Sequence, residues 1–278
     1  MTAPEVFEAF GRFERTSWGE VSSVYASTFG RVTALAVEPL LDAAGVARGA
    51  RMLDLACGPG FAAIAAAKRG AQVEGVDFAP GMVAAAARAC PEGRFQVADA
   101  AKLPFEPLQF DALVSNFGVQ HFPDAERALG EMFRVLKRDG RLAFTVWDTA
   151  ERSPAQGLLQ EAVAAHGSAD ATLPAAPPLH RFADADETRR TLESEGFTDV
   201  TSRPLPLMVR AANANELFDN YLRGTVRLGA MLRVQPPEAL ARIRDAFARS
   251  LEPYRTAEGV AVPMQAVLNT ARSRPDSV

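Results

Sequence analysis

The sequence predicts an α/β protein built on a parallel, doubly wound sheet, and three observations predict it. Short, almost wholly apolar strands alternate with amphipathic helical stretches from residue 51 to 147. The strands lack a polar face, as strands covered by helices on both sides do. The first strand runs into a glycine-bearing turn, Cys57-Gly58-Pro59-Gly60, and then an alanine-rich helix, which makes one βαβ unit with a gap at its turn for a nucleotide-like ligand.

The elements follow in order. Residues 5 to 45 space Phe7, Phe10, Phe13, Trp18, Val21, Tyr25, Phe29, Val32 and Leu35 mostly by three or four, which predicts two or three amphipathic helices ahead of the sheet. Met52 to Ala56 is the first strand, Phe61 to Arg69 a helix stopped by Gly70, and Gln72 to Val76 a second strand closed by Asp77. Pro80 suits the first turn of the next helix, where a missing N–H costs nothing. Arg94 to Ala98 is the third strand, ended by Asp99, and Phe110 to Ser115 the fourth, ended by Asn116. From Asp124 a helix carries Ala128, Leu129, Met132, Phe133 and Leu136 on one face and stops at Asp139-Gly140, before a fifth strand from Arg141 to Trp147.

The second half is less regular. It offers a helix from Ala155 to Ala165, a proline-rich loop from Leu173 to Pro178, a helix from Asp184 to Glu195 and a strand from Phe197 to Leu205. A helical pattern from Asn215 to Leu251, broken at Pro236-Pro237, precedes a last strand from Val260 to Ala271.

Composition narrows the function. The chain has 278 residues, is 48% apolar and carries a net charge of −4, ample for a core and against a general polyanion binder. Cys57 and Cys90 alone give neither a disulfide framework nor a zinc set, so no metal site is expected and a reducing cytoplasm fits. The first 18 residues carry two arginines and three glutamates and so lack a signal-peptide pattern, and no membrane span is expected.

Asp54, Gly58, Gly60, Asp77, Asp99 and Asn116 all fall near strand C-terminal ends, where ligands of doubly wound sheets sit. Asp54-Leu55-Ala56-Cys57-Gly58-Pro59-Gly60, the strand-ending Asp77, Val97-Ala98-Asp99-Ala100 with Leu103-Pro104-Phe105, and Phe110 to Phe117 together resemble the class I S-adenosylmethionine-dependent methyltransferases, in the ubiquinone/menaquinone and small-molecule branch. The resemblance is specific over roughly 50 to 148 and architectural elsewhere. It implies a Rossmann-like, seven-stranded sheet with helical lid insertions, in one domain: an N-terminal helical lid (1–48), a cofactor core (49–148), lid insertions at 149–183 and 208–257, and the remaining helix and strands at 184–207 and 258–272.

The resemblance implies site residues as well. Ala56, Gly58 and Gly60 would let the backbone approach the methionine end of S-adenosylmethionine, while Asp54 orders the turn and the amino group. Asp77 would accept from the ribose hydroxyls, Asp99 and Ala100 would read the adenine edge, and Phe78 and Met82 would flank the ring. Asn116 and Phe117 would line the sulfonium. Structural rivals exist for the acids: Asp54 as a turn acid at the strand end, Asp77 as a helix cap. Three positions depart from the family pattern. Ala56 replaces the usual first glycine, Ala79 a capping serine, and Arg138-Asp139 a Pro-Gly pair before the fifth strand.

The implied function is methyl transfer to a small organic acceptor by in-line displacement, with S-adenosylhomocysteine as product and no nucleic-acid partner, by a monomer or homodimer. Two rivals stay open: a cofactor-binding regulator without transfer activity, and an NAD(P)-dependent oxidoreductase, because Gly58, Gly60 and Ala63 also satisfy G-x-G-x-x-A with Asp77 beyond. Asn116-Phe117-Gly118-Val119 lacks the paired prolines of amine-methylating DNA enzymes, and two cysteines are too few for arsenic methylation. A base is needed only for an acceptor protonated at working pH. His121 is the local candidate; His166, His180 and Tyr25 are outside ones. Trp18, Tyr25, Trp147, Phe218, Tyr221 and Met231 are the candidate acceptor-lining residues.

Overall fold

The computed structural model describes residues 3–167 and 173–274. Three helices precede the sheet: α1 (Ala3–Val21), α2 (Gly30–Thr33) and α3 (Val37–Ala43). The core then alternates β1 (Arg51–Leu55), α4 (Phe61–Lys68), β2 (Gln72–Asp77), α5 (Pro80–Ala89), β3 (Arg94–Val97), β4 (Phe110–Asn116), α6 (Ala125–Val135) and β5 (Leu136–Trp147). Beyond it lie α7 (Pro154–His166), α8 (Ala185–Ser194), β6 (Thr198–Ala211), α9 (Ala214–Gly224), α10 (Arg227–Arg233), α11 (Pro237–Ser250), β7 (Arg255–Thr256) and β8 (Gly259–Arg272).

The sheet runs β3-β2-β1-β4-β5-β8-β6, with the two-residue β7 paired to β8 as an eighth strand. The first five strands are parallel; β8 pairs antiparallel with both β5 and β6. The order reverses between β1 and β4, so a crevice opens outside their C-terminal ends. Side-chain alternation feeds two cores. Met52, Val114 and Ala143 face a layer that includes α3, α4, α7, α9 and α11, while Leu53, Leu55, Leu113 and Phe144 face α6 and α8.

Several boundaries differ from the sequence expectation. The helix from Asp124 ends at Val135, not at Asp139-Gly140, because Leu136 pairs with Phe110 and begins β5. The strand expected over 197–205 extends to Ala211, through Pro204 and Pro206. Both prolines lie on the sheet's edge strand, where one side of the backbone has no neighbour to donate to. The helical insertion therefore occupies α9 to α11 rather than 208–257. The 149–183 segment holds α7 and two short turns, Ala150–Arg152 and Arg181–Ala183, and its residues 168–172 lie outside the described residues. No helix among the described residues is long and apolar enough to cross a membrane.

Candidate active site

The site begins where β1 ends. Ala56 leaves the strand in a left-handed conformation (φ 57°), and Gly58 (φ 52°) and Gly60 (φ 89°) continue the turn. The two glycines differ in what they need. A Cβ on Gly58 would meet no atom within 4 Å, so it faces open cleft, whereas one on Gly60 would lie 3.1 Å from the Ala86 Cα of α5. Gly60 is thus required by helix packing, and only Gly58 leaves backbone free for a ligand.

Asp54 (1% exposed) and Asp77 (6%) brace this turn from adjacent strands. Asp54 Oδ2 accepts from the Ala63 N–H at 3.1 Å, supplying the cap for α4 that Gly60 has no side chain to give. Asp77 Oδ2 accepts from the Gly58 N–H and Oδ1 from the Ala79 N–H, each at 2.9 Å. Each acid thus holds backbone while lining the cleft, but Asp77 does not cap α5, since its bonds go to Gly58 and to Ala79, the residue before that helix. Burial pushes the Asp54 carboxyl up to about 7, against the Ala63 N–H and helped by the charge of Asp77. Burial also lifts Asp77 to about 6, against the same two backbone donors. Two buried acids with no cation in hydrogen-bond range among the described residues form a site that a positively charged group would relieve.

Three cavities follow the strand ends. The largest, about 550 Å³, runs from Ala56 and Asp77 past Phe78 to Asp99 and Ala100, under Phe7 and Arg15 of α1. Asp99 is exposed and its Oδ1 accepts from the Ala101 N–H at 2.9 Å. A second, about 60 Å³, takes in Asp54, Gly58, Met82, Asn116 and Phe117. A third, about 90 Å³, lies on the far side of Phe117 among Phe29, Trp147, Tyr221 and Met264. Trp18, Tyr25 and Phe117 separate the second from the third, and His121 lines all three.

Asn116 is more committed than expected. Its Nδ2 donates to the Thr33 carbonyl at 2.9 Å and its Oδ1 accepts from Thr145 Oγ1 at 2.8 Å, so it ties β4 to α2 and β5 while lining the cavity. Phe117 sits at φ 59°, a strained value for a phenylalanine. Its N–H donates to Thr145 Oγ1 at 3.0 Å, and its ring stacks on Trp147 at 3.9 Å between centroids.

His121 has a fixed hydrogen-bond arrangement. Gln120 Oε1 accepts from the Trp147 N–H at 3.0 Å, which turns Gln120 Nε2, a donor, toward His121 Nε2 at 3.3 Å. His121 Nε2 is then an acceptor and the ring proton sits on Nδ1, donating to Glu14 Oε2 at 2.9 Å. Trp18 Nε1 donates to the same Glu14 oxygen at 3.0 Å. Tyr25 is no match as a base. Thr33 Oγ1 donates to the Gly30 carbonyl, so the Tyr25 hydroxyl is the donor in its 3.0 Å contact with Thr33. Burial pushes the Tyr25 phenol up to about 12. His180 contacts the Trp147 carbonyl outside these cavities, and neither it nor His166 lines them.

Of the candidate acceptor-lining residues, Trp18, Tyr25, Trp147 and Tyr221 line the third cavity. Phe218 and Met231 do not. Phe218 is fully buried between α9 and α11, 6.2 Å from the Phe247 ring and under the Arg244 guanidinium, and Met231 packs against the helical core. Sequence reading missed Glu14, Gln156 and Arg227. Glu14 left a trace, an acid four residues from both Phe10 and Trp18 on the apolar face of α1; the other two left none.

Fold and site together define a doubly wound α/β protein with a nucleotide-cofactor cleft at its switch point. Residues 53–144 match the family described as "Methyltransferase domain". A demethylmenaquinone methyltransferase of Renibacterium salmoninarum is 30% identical over 175 residues, 60% of this chain and 74% of that protein. Another, of Beutenbergia cavernae, is 39% identical over 118 residues, 42% of this chain and 49% of that protein, so the chain spans about half the length of that relative. Among solved structures, the YcgJ protein of Bacillus subtilis superposes with a TM-score of 0.58 at 18% identity, covering 86% of this chain and 98% of that one. The chain belongs to the class I S-adenosylmethionine-dependent methyltransferase family, in the quinone-methyltransferase-like branch.

Proposed function

We propose that the protein binds S-adenosylmethionine along the cleft from Asp54 to Asp99 and transfers its methyl group to a small organic acceptor held in the aromatic chamber beyond Phe117. One observation carries this reading: the cofactor cleft and a separate chamber share the wall formed by Trp18, Tyr25, Phe117 and His121. A regulator without transfer activity has no need of a second chamber there, and a nicotinamide enzyme, which would use Asp77 on a ribose, has no need of a further buried acid at Asp54.

The residues present fit the cofactor. The open face of Gly58 admits close backbone approach, and the raised pKa values of Asp54 and Asp77 mark a site short of positive charge. Asp54 would hold the amino group at the cationic end, Asp77 the ribose hydroxyls, Phe78 and Met82 the ring, and Asp99 with Ala100 the adenine edge; Asn116 would act by fixing Phe117. When bound, the cofactor supplies a methyl group already activated by its sulfonium. What the protein adds is alignment and exclusion of water, with α1 over the cleft and aromatic walls around the chamber. For an acceptor bearing a hydroxyl, His121 Nε2 takes the proton as the acceptor displaces Gln120 Nε2, which donates to that lone pair at 3.3 Å, and Glu14 steadies the imidazolium through Nδ1.

Calorimetric titration tests the reading. S-adenosylmethionine and S-adenosylhomocysteine are expected to bind and NAD not to; preferential NAD binding overturns it. A metabolite-extract screen with labelled methyl donor then finds the acceptor.

A further inference from the structure

Among the described residues, six buried side-chain polar atoms have no hydrogen-bond partner, and two of them, Gln156 Oε1 and Arg227 Nη1, belong to residues that line the acceptor chamber. Unpartnered buried polar atoms are rare in native proteins, so two on residues that line one small cavity point to polar groups of a ligand there. The two come from separate elements. Gln156, 3% exposed, sits in the first turn of α7, and Arg227 opens α10.

Arg227 is held in place. Its Nη2 donates to the Pro174 carbonyl at 3.1 Å, and its guanidinium carbon lies 5.8 Å from the Phe10 ring and 5.7 Å from that of Phe13. It makes no salt bridge among the described residues. Glu14 attracts it only at a distance, and the partnered oxygen of Glu14 is engaged by Trp18 and His121. A half-buried guanidinium with an unpartnered Nη1 and no carboxylate within ion-pair distance among the described residues is a receptor for an anionic oxygen. Gln156 Oε1, being an acceptor, asks the same ligand for an O–H or N–H. The remaining walls, Phe29, Phe117, Trp147 and Tyr221, are aromatic. Since one water needs ~10–15 Å³ of such space, the cavity of about 90 Å³ suits one substituted ring rather than a long chain.

We propose that the methyl acceptor is a small aromatic acid bearing a hydroxyl or amino group, its carboxylate bound by Arg227 Nη1 and a hydroxyl or amino hydrogen by Gln156 Oε1. This rests on the reading of the chamber as the acceptor site. A water could satisfy both atoms but would bring no negative charge to the guanidinium, so the test compares charge directly.

With S-adenosylhomocysteine saturating, binding of 3,4-dihydroxybenzoate and of its neutral amide, 3,4-dihydroxybenzamide, is measured by calorimetry on the wild type, Arg227→Gln, Arg227→Lys and Gln156→Leu. The acid is expected to bind about tenfold or more tighter than the amide. Arg227→Gln removes that preference, Arg227→Lys keeps it at weaker affinity, and Gln156→Leu weakens both ligands. S-adenosylhomocysteine affinity of each variant reports that the fold is intact. Equal binding of acid and amide, binding of neither, or a preference surviving in Arg227→Gln overturns the proposal. Failure of the wild type to bind S-adenosylhomocysteine would instead remove the methyltransferase reading of the cleft.

Discussion

Glu14 and His121, 107 residues apart in the chain, meet at the mouth of the cleft with Glu14 Oε2 2.9 Å from His121 Nδ1. Glu14 is wholly buried on α1, and one of its oxygens serves both His121 and Trp18. The pair thus joins the N-terminal helix to the short turn after β4, and it leaves His121 Nε2 carrying the lone pair.

That arrangement predicts how the two residues divide their roles. His121→Asn lowers turnover by about 100-fold or more if Nε2 takes the acceptor's proton, with S-adenosylhomocysteine affinity retained. Glu14→Gln keeps the shape and a hydrogen-bond acceptor but not the charge, so turnover falls less, by about tenfold, in kcat rather than KM. Labelled methyl transfer to the acceptor found by screening measures both. Full activity in His121→Asn would leave the pair a structural tie between α1 and the sheet.

The buried acids set a pH dependence whose sign can be worked out. Asp54 and Asp77 titrate at about 7 and about 6 in the folded protein, against an ordinary value of 3.8. Between about pH 4 and 7 the folded state therefore holds more protons than the unfolded one, and its stability falls as pH rises through that window. The contribution is complete below the unfolded value and gone above the folded one. Thermal denaturation without ligand is expected to show this decline, and Asp54→Asn, which can still accept from the Ala63 N–H, to flatten it. A cationic ligand favours the ionised acids, so binding near about pH 6.5 releases protons, visible by calorimetry in buffers of different ionisation heat. Proton uptake on binding would contradict the assignment.

Asp77 combines two tasks that one substitution separates from neither. Asp77→Ala frees the Gly58 and Ala79 N–H groups, costing roughly 1–3 kcal/mol of stability, and it weakens cofactor binding by a similar roughly 1–3 kcal/mol. Denaturant titration and calorimetry on the same protein measure the two losses. A loss of stability with cofactor affinity intact would confine Asp77 to the turn.

How much of this was legible depended on the range over which each feature is encoded. The β1-turn-α4-β2 unit and its two acids are written in contiguous residues, where an apolar strand, a glycine turn and a closing acid follow one another. The length of β6 was hidden by Pro204 and Pro206, which read as breaks and are tolerated only because the strand is an edge. Phe218 and Tyr221 occupy one apolar stripe of α9 and both lie against Phe247 of α11, yet Tyr221 also meets Phe29 and lines the chamber while Phe218 lies under Arg244. Gln156 and Arg227 lie 71 positions apart by their numbering (227 − 156) and share a chamber only through the sheet and the helices packed on it. No local pattern announces such a pair.

The two turn glycines give the sharpest separation of fold from function. Both have left-handed backbone angles, so alanine at either is strained by about 1–2 kcal/mol. At Gly60 the new methyl also meets the backbone of Ala86 at 3.1 Å, an atom that cannot move without shifting α5. At Gly58 the methyl points into open cleft and meets no protein atom within 4 Å. Gly60→Ala is therefore expected to lose more stability than Gly58→Ala, while Gly58→Ala loses more S-adenosylhomocysteine affinity relative to its stability, because its methyl occupies space the ligand needs. Denaturation and titration of the two variants side by side test this. Equal binding losses in both would mean that Gly58, like Gly60, serves only the turn.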